Sequence, residues 1–138
     1  MTRDEIDALF ARHAAAEHDK DVKAIMDTLA EGVEHEVVGD PRGVLTDREA
    51  IVQRYLELFD GLTEEKLETT RRYYGADFFV DESHWYGRAT GMFLGIPGGN
   101  RPVDFRILHV CDLKDGRMSR EQVWLDMAAI MQQLAPAQ

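Results

Sequence analysis

The sequence has little cysteine, little proline and no long apolar run. Its 138 residues include one cysteine, Cys111, and four prolines. One cysteine forms no disulfide within the chain and no thiolate metal cage, so we interpret Cys111 as a residue of the core or of a pocket wall. No apolar run approaches the ~20 residues of a membrane span, and the first ten residues lack the features of a signal peptide. We therefore expect a cytoplasmic protein without a membrane partner.

Basic residues are also scarce. The chain has 16 Lys and Arg against 26 Asp and Glu, which gives a net charge of −10. Nucleic-acid binding needs a clustered excess of basic residues, so this charge argues against a nucleic-acid partner. Apolar residues make up 44% and charged residues 30%, a balance typical of globular proteins. The length predicts one domain, residues 1–138.

The first part of the chain shows helical periodicity and the rest shows strand patterns. Apolar residues recur at helical spacing in three segments, and Gly32 is a natural stop for the second of them. A short strand is predicted over residues 33–38. Further strands are predicted over residues 67–74, 77–93, 102–113 and 117–125, before a short helix over residues 127–134. Three helices followed by a bent antiparallel sheet make an α+β fold.

Asp115-Gly116 lies between two strand patterns and predicts a hairpin with a two-residue loop. Lys114 then pairs with Arg117, and counting back along both strands predicts the other opposite pairs. These are His109 with Gln122, Ile107 with Trp124, and Phe105 with Asp126. A shift of register by one residue would exchange the two faces of a strand.

This register predicts two partly apolar faces. One carries aromatic residues, a histidine and a carboxylate, a mixture typical of ligand pockets: Phe105, Ile107, His109, Cys111, Gln122, Trp124 and Asp126. The other carries Leu108, Val110, Val123 and Leu125, with Arg106, Asp112 and Glu121. This second face is too apolar to be fully solvated, which indicates a partner subunit.

Three segments in the last third of the chain have a recognisable pattern. They read TGMFLGIPGGNRPVDFR (90–106), KDGRM (114–118) and DMAAIMQQL (126–134). The pattern resembles the SnoaL-like polyketide cyclases, within the nuclear transport factor 2-like superfamily. The resemblance implies a cone-shaped fold around a cavity, dimers through the outer sheet face, and no cofactor. It also implies that Asp126 acts as general base or acid in an intramolecular aldol closure.

The sequence departs from the family pattern at several positions. Ala89 stands where many members have a histidine, in a run that reads GRATG. Gln122 stands where a tryptophan is frequent, although Trp124 follows two residues later. Arg120 replaces the usual glutamate, and residues 98–101 read GGNR in place of PTGK. These departures bear on the reaction more than on the fold.

Three polar residues are the candidate catalytic groups. Asp126 is predicted at the floor of the pocket, and its alternative role is the N-cap of the last helix. His109 shares its predicted face, and His35 lies in the first strand, with Glu36 as the substitute if that strand is turned. His84 is a weaker candidate, because alternation leaves open which side of its strand meets the pocket. No pair of histidines has metal-ligand spacing, so we expect no metal.

We therefore expect an enzyme that performs acid–base chemistry on a small, mostly apolar carbonyl compound. Asp126 would be the base, and His109 or His35 would complete proton transfer. The predicted pocket is shaped by Trp124, Phe105, Ile107, Gln122, Tyr55, Phe59 and Trp85. One fold hosts many reactions, so isomerisation, dehydration and epoxide opening stay open beside cyclisation. The alternative is a non-catalytic binding or accessory protein, which Ala89 favours.

Overall fold

Three helices form where the apolar residues recur at helical spacing. In the computed structural model, which describes residues 1–135, they are α1 (Arg3–His18), α2 (Val22–Asp27) and α3 (Arg48–Gly61). Each begins after a capping residue, Thr2, Asp21 or Asp47, whose side-chain oxygen accepts a hydrogen bond from a backbone N–H three residues ahead. The caps and the apolar stripes agree, which explains why the helices were predictable.

Five strands form one curved sheet in the order β1-β7-β6-β3-β2. The strands and the last helix are β1 (Leu29–Val38), β2 (Leu62–Tyr74), β3 (Phe78–Ala89), β4 (Met92–Phe93), β5 (Ile96–Pro97), β6 (Arg101–Lys114), β7 (Arg117–Leu125) and α4 (Met127–Leu134). Strands β4 and β5 form a separate small ladder. The α+β class is confirmed. The main sheet is mixed, however, because β1 runs parallel to β7.

Two predicted boundaries differ from the structure. Helix α2 ends at Asp27, and Gly32, predicted to end that helix, lies within β1 at φ 74°. The β1–β7 register shifts between Leu29 and Glu34, so the glycine lies in an irregular part of the strand. The long predicted strand 77–93 is interrupted after Ala89, where the Thr90 N–H turns to donate to the Gly61 carbonyl.

The predicted hairpin loop is confirmed, but the predicted pairing holds for only two residue pairs and fails at the third. Asp115 and Gly116 have φ values of 52° and 79°, as a tight two-residue loop requires, and Lys114 pairs with Arg117. Beyond Met118 the register shifts, because Ser119 is an extra residue in β7.

Because of this bulge, the side chains of β7 after Ser119 point to the opposite face of the sheet from the one predicted. His109 pairs with Val123 rather than Gln122, and Ile107 pairs with Leu125 rather than Trp124. Met118 and Glu121 are both buried although they lie three residues apart. Strict alternation by two cannot bury both, so the extra residue is what permits it.

Two clusters of buried hydrophobic residues fill the two ends of the space between the helices and the sheet. One cluster joins α1, α2 and α3 to the sheet through residues such as Leu9, Ile25 and Phe79. The other lies under α4 and contains Trp85, Phe105 and Ile130 with their neighbours. A cavity remains between these clusters. No helix of the described part, residues 1–135, is long and apolar enough to cross a membrane.

Candidate active site

A cavity of about 100 Å³ lies between α1, α3 and the inner face of the sheet. Its apolar end is built from stacked aromatic rings. The ring centroids of Trp85 and Phe105 are 5.0 Å apart, and those of Phe93 and Phe105 are 6.2 Å apart, with 15° between the planes in both cases. The rest of this end is aliphatic, from Val37, Leu58, Leu62, Ile107, Val123 and Leu125. Such a wall accepts an apolar compound.

The other end of the cavity is polar, and Glu121 is its central residue. Glu121 is 1% exposed, and its Oε1 accepts hydrogen bonds from the Tyr55 hydroxyl at 2.9 Å and from His35 Nε2 at 3.1 Å. Its Oε2 lies 2.9 Å from His13 Nε2. Burial raises the pKa of Glu121, but the nearby charge of His13 and the hydrogen bond from His35 outweigh it and hold that pKa well below its usual range.

The protonation of His13 follows from its partners. Thr28 donates its hydroxyl hydrogen to the Ile25 carbonyl at 2.6 Å, so it accepts a hydrogen bond from His13 Nδ1 at 2.7 Å. His13 Nε2 faces two carboxylates, Glu121 and Glu17, the second at 2.7 Å. Burial lowers the pKa of His13, but the two carboxylates raise it well above its usual value. His13 is therefore an imidazolium.

His35 is held in one tautomer. Arg54, itself buried, donates to His35 Nδ1 at 3.1 Å and to the His35 carbonyl at 3.0 Å. The hydrogen of the ring is thus on Nε2, which donates to Glu121. Both ring nitrogens are occupied, so His35 is an oriented wall residue.

His109 lines the same cavity, but its hydrogen bonding is incomplete. The residue is 4% exposed, and its Nδ1 has no hydrogen-bond partner within residues 1–135. The nearest carboxylate oxygen, Asp81 Oδ1, is 4.0 Å away. Asp81 is fully buried and is held by Arg72 at 2.9 Å and by the hydroxyl of Ser83. Because Nδ1 lies on the Asp81 side, Nε2 is the ring nitrogen of His109 that remains for a ligand.

The structure brings most of the predicted site residues together. His109, His35, Tyr55, Phe59, Phe105, Ile107 and Trp85 all line the cavity. Gln122 and Trp124 were predicted there and lie instead on the outer face, because of the bulge at Ser119. Trp124 is 46% exposed and donates to Gln122 Oε1 at 3.0 Å, and Gln122 donates to Glu36. Their predicted positions in the pocket are wrong.

Asp126 also lies away from the predicted floor of the pocket. It follows the end of β7 and caps α4, where its side chain accepts a hydrogen bond from the Ala129 N–H at 3.2 Å. Its other near partner is Arg106, with Nη2 at 3.8 Å from Oδ2. It is not among the residues that line the cavity. The prediction that Asp126 faces Phe105 in the pocket is wrong, since the register shift moves the pairing of β7.

Three residues at the polar end of the cavity were not predicted from the sequence: Glu121, His13 and Glu17. Glu121 was assigned to the outer face by the hairpin register, and the bulge reverses that assignment. A signal for His13 was present, because it continues the apolar stripe of α1 after Ile6 and Phe10. A polar residue on the buried stripe of a helix needs a buried partner. That partner lies on β7, more than 100 residues along the chain.

Comparison with known proteins shows the family to which this chain is similar. A family model described as SnoaL-like polyketide cyclase matches residues 8–134. No curated protein sequence matches the chain. Among solved structures, TsrD from Streptomyces laurentii is 21% identical with a TM-score of 0.76, and 98% of each chain is covered.

Two further solved structures show the same fold. A polyketide cyclase from Xanthomonas campestris pv. campestris, named on the basis of similarity, is 16% identical with a TM-score of 0.82, covering 96% of this chain and 98% of that one. A protein from Catenulispora acidiphila with a ketosteroid isomerase-like fold, solved in complex with trimethylamine, is 15% identical with a TM-score of 0.75, covering 94% and 93%. Because the family model spans nearly the whole chain, this protein belongs to the SnoaL-like polyketide cyclase family.

Proposed function

We propose that the chain is an enzyme that performs general acid–base chemistry on a small, mostly apolar carbonyl compound, with His109 as the proton-transferring residue. One observation carries this proposal: His109 lines an aromatic and aliphatic cavity with its Nδ1 on the side of the buried Asp81, which leaves Nε2 for a ligand. An imidazole exchanges protons near neutral pH, and an apolar surrounding excludes competing water.

The remaining polar groups suggest how the reaction would proceed. Asp81 lies on the Nδ1 side of His109, so Nε2 is the nitrogen left for a ligand. His109 would take a proton from the carbon next to the carbonyl, and the electrons of that C–H bond would form an enolate. The negative charge on the carbonyl oxygen requires a donor. The Tyr55 hydroxyl lines the same cavity and would supply one if it turned from Glu121 Oε1 to the ligand. His109 would then return the proton to the product.

An intramolecular aldol closure is the reaction that family membership favours. In that reaction the enolate carbon attacks a second carbonyl of the same molecule, and the new alkoxide takes the proton. Isomerisation and dehydration begin with the same proton transfer, which side chains supply without an organic cofactor. The trimethylamine in the Catenulispora structure supports a small ligand in this fold.

A deuterium-exchange assay tests the proposal without knowledge of the natural substrate. Small aryl ketones such as 2-tetralone are incubated with the protein in D₂O, and loss of the proton next to the carbonyl is followed by NMR. We expect exchange faster than with free imidazole at the same concentration. Val123→Phe should abolish it by filling the cavity, whereas Leu108→Phe on the outer face should not. No acceleration for any ketone, or equal rates in both variants, would contradict the proposal.

A non-catalytic binding protein is the second candidate. Ala89, where many family members have a histidine, is fully buried and cannot move a proton. His35 and Tyr55 are both engaged by Glu121, as structural side chains would be. Ketones that bind in calorimetry, compete with one another, and show no exchange would support this reading over catalysis.

We also propose a homodimer formed through the outer face of the sheet. Val123 and Leu125 were predicted on this face but line the cavity. The apolar residues that remain outside include Leu108, Val110 and the exposed Trp124. We propose further that the protein is cytoplasmic and, with its net charge of −10, has no nucleic-acid partner.

Charge on the outer face should separate the subunits. Trp124→Glu is expected to give a monomer in light scattering after size exclusion, because two copies would bury like charges against each other. Glu36→Gln, on the same side of the sheet but without added charge, should leave the dimer intact. A Trp124→Glu protein with the mass of the parent would refute this interface.

A further inference from the structure

A second cluster of potential ligand atoms forms one wall of the cavity. His13 Nε2 lies 2.7 Å from Glu17 Oε1 and 2.9 Å from Glu121 Oε2, and one atom from each residue lies within 4.8 Å of the others. His13 and Glu17 are four residues apart on α1, so they share one face of the helix. Glu121 reaches them from β7, and Glu17 and Glu121 both line the cavity.

The single hydrogen that His13 Nε2 can carry is too few for the two carboxylates that face it. The Nδ1 hydrogen of His13 is used by Thr28, which leaves a single N–H to serve two carboxylates. Within residues 1–135, His13 Nε2 makes no aligned hydrogen bond, and Glu121 Oε2 has no hydrogen-bond donor. Both side chains are only 2% exposed. Two carboxylates against one imidazole leave a net negative charge whether or not the ring is protonated, and such a charge is costly to bury.

We propose that His13, Glu17 and Glu121 bind a divalent transition-metal cation, with Zn²⁺ as the best match. One imidazole and two carboxylates are ligands that zinc accepts, and the cation would balance both negative charges. The fourth position of a tetrahedral site would face the cavity. Donor atoms around zinc lie roughly 3.3 Å apart, so the cluster would widen by about half an ångström. Glu17 can move to permit this, because its side chain is 24% exposed.

The surrounding hydrogen bonds suit a metal site. A histidine ligand usually donates its second N–H to a fixed acceptor, and here His13 donates to Thr28. The second oxygen of Glu121 is held by Tyr55 and His35, which leaves Oε2 directed at His13. The sequence predicted no metal, because it contains no pair of histidines with metal-ligand spacing. This site goes beyond the proposed acid–base function, which His109 would perform without it.

Zinc binding is tested on the protein freed of metal with EDTA and then dialysed. Calorimetry with ZnCl₂ should show one Zn²⁺ per chain, and Co²⁺ should give the visible bands of a tetrahedral site. Glu17→Gln keeps the side-chain size and should weaken zinc binding by more than about 100-fold, since even outer-shell partners contribute roughly 10- to 100-fold. Circular dichroism would confirm that this variant folds.

The matched control is His84→Gln, which removes a half-buried histidine paired with Asp104 at 2.7 Å on the other face of the sheet. This variant should bind zinc as the parent does. Absence of zinc binding in the parent, or unchanged affinity in Glu17→Gln, would overturn the proposal. Equal loss in both variants would do so as well. Because the readout is binding, a failed exchange assay leaves this result unaffected.

Discussion

Replacing His109 with glutamine should lower the rate of ketone proton exchange by about 10²- to 10⁴-fold, the usual contribution of a general base. Glutamine is close to histidine in size and can keep a polar contact towards Asp81, but it cannot take up a proton. The measurement is the initial rate of deuterium incorporation by NMR. Ketone affinity, measured by calorimetry, should change little, since the aromatic wall is retained.

Asp126→Asn is the matched control for this experiment. The resemblance to the cyclases implied Asp126 as the base, whereas the structure places it at the start of α4 and outside the cavity. Asparagine is an equally good N-cap, so the fold should be retained. We expect an exchange rate close to that of the parent. A large loss in Asp126→Asn with little change in His109→Gln would reverse the assignment of the base.

Replacing Glu121 with alanine should destabilise the protein by about 3–5 kcal/mol, the range found when one partner of a buried ion pair is removed. The change leaves the buried His13 charge without its main counter-ion and removes the acceptor of the Tyr55 and His35 hydrogen bonds. Urea unfolding with EDTA present, followed by circular dichroism, gives the free energy of unfolding.

Glu36→Ala on the neighbouring strand β1 is the control for the same chemical change. Glu36 accepts a hydrogen bond from Gln122 at the outer side of the sheet, where water can replace the lost partner. A cost of no more than about 1 kcal/mol is expected there. Similar losses in the two variants would show that Glu121 does not have the central structural role assigned to it.

Local patterns predicted those parts of the fold that depend on neighbouring residues. The three helices have both an apolar stripe and a capping residue, and the Asp115-Gly116 loop has the residues that positive φ values demand. Strand β6 alternates without interruption, so His109, Phe105 and Ile107 were placed on the inner face correctly.

The errors in the placement of site residues on and after β7 all follow from one residue, Ser119. Ser119 adds a position to β7, and every side chain after it changes face. As a result, Glu121 lines the cavity, whereas three residues predicted there do not: Gln122, Trp124 and Asp126. A serine in a polar stretch of strand carries no local sign of a bulge. The extra residue allows both Met118 and Glu121 to be buried, and this burial stabilises the bulge.

The sequence by itself determined the α+β class, the order of the elements, the hairpin loop and the inner face of β6. Short-range periodicity and turn chemistry suffice for these, because the residues that decide them are close together in the chain. Only the tertiary structure decided which face of β7 meets the cavity and which polar groups meet there. Glu121 is buried because His13, His35 and Tyr55 compensate its charge and hydrogen bonds, and these partners come from three other elements. The site first expected at Asp126 is thus proposed at the cavity that His109 and Glu121 line.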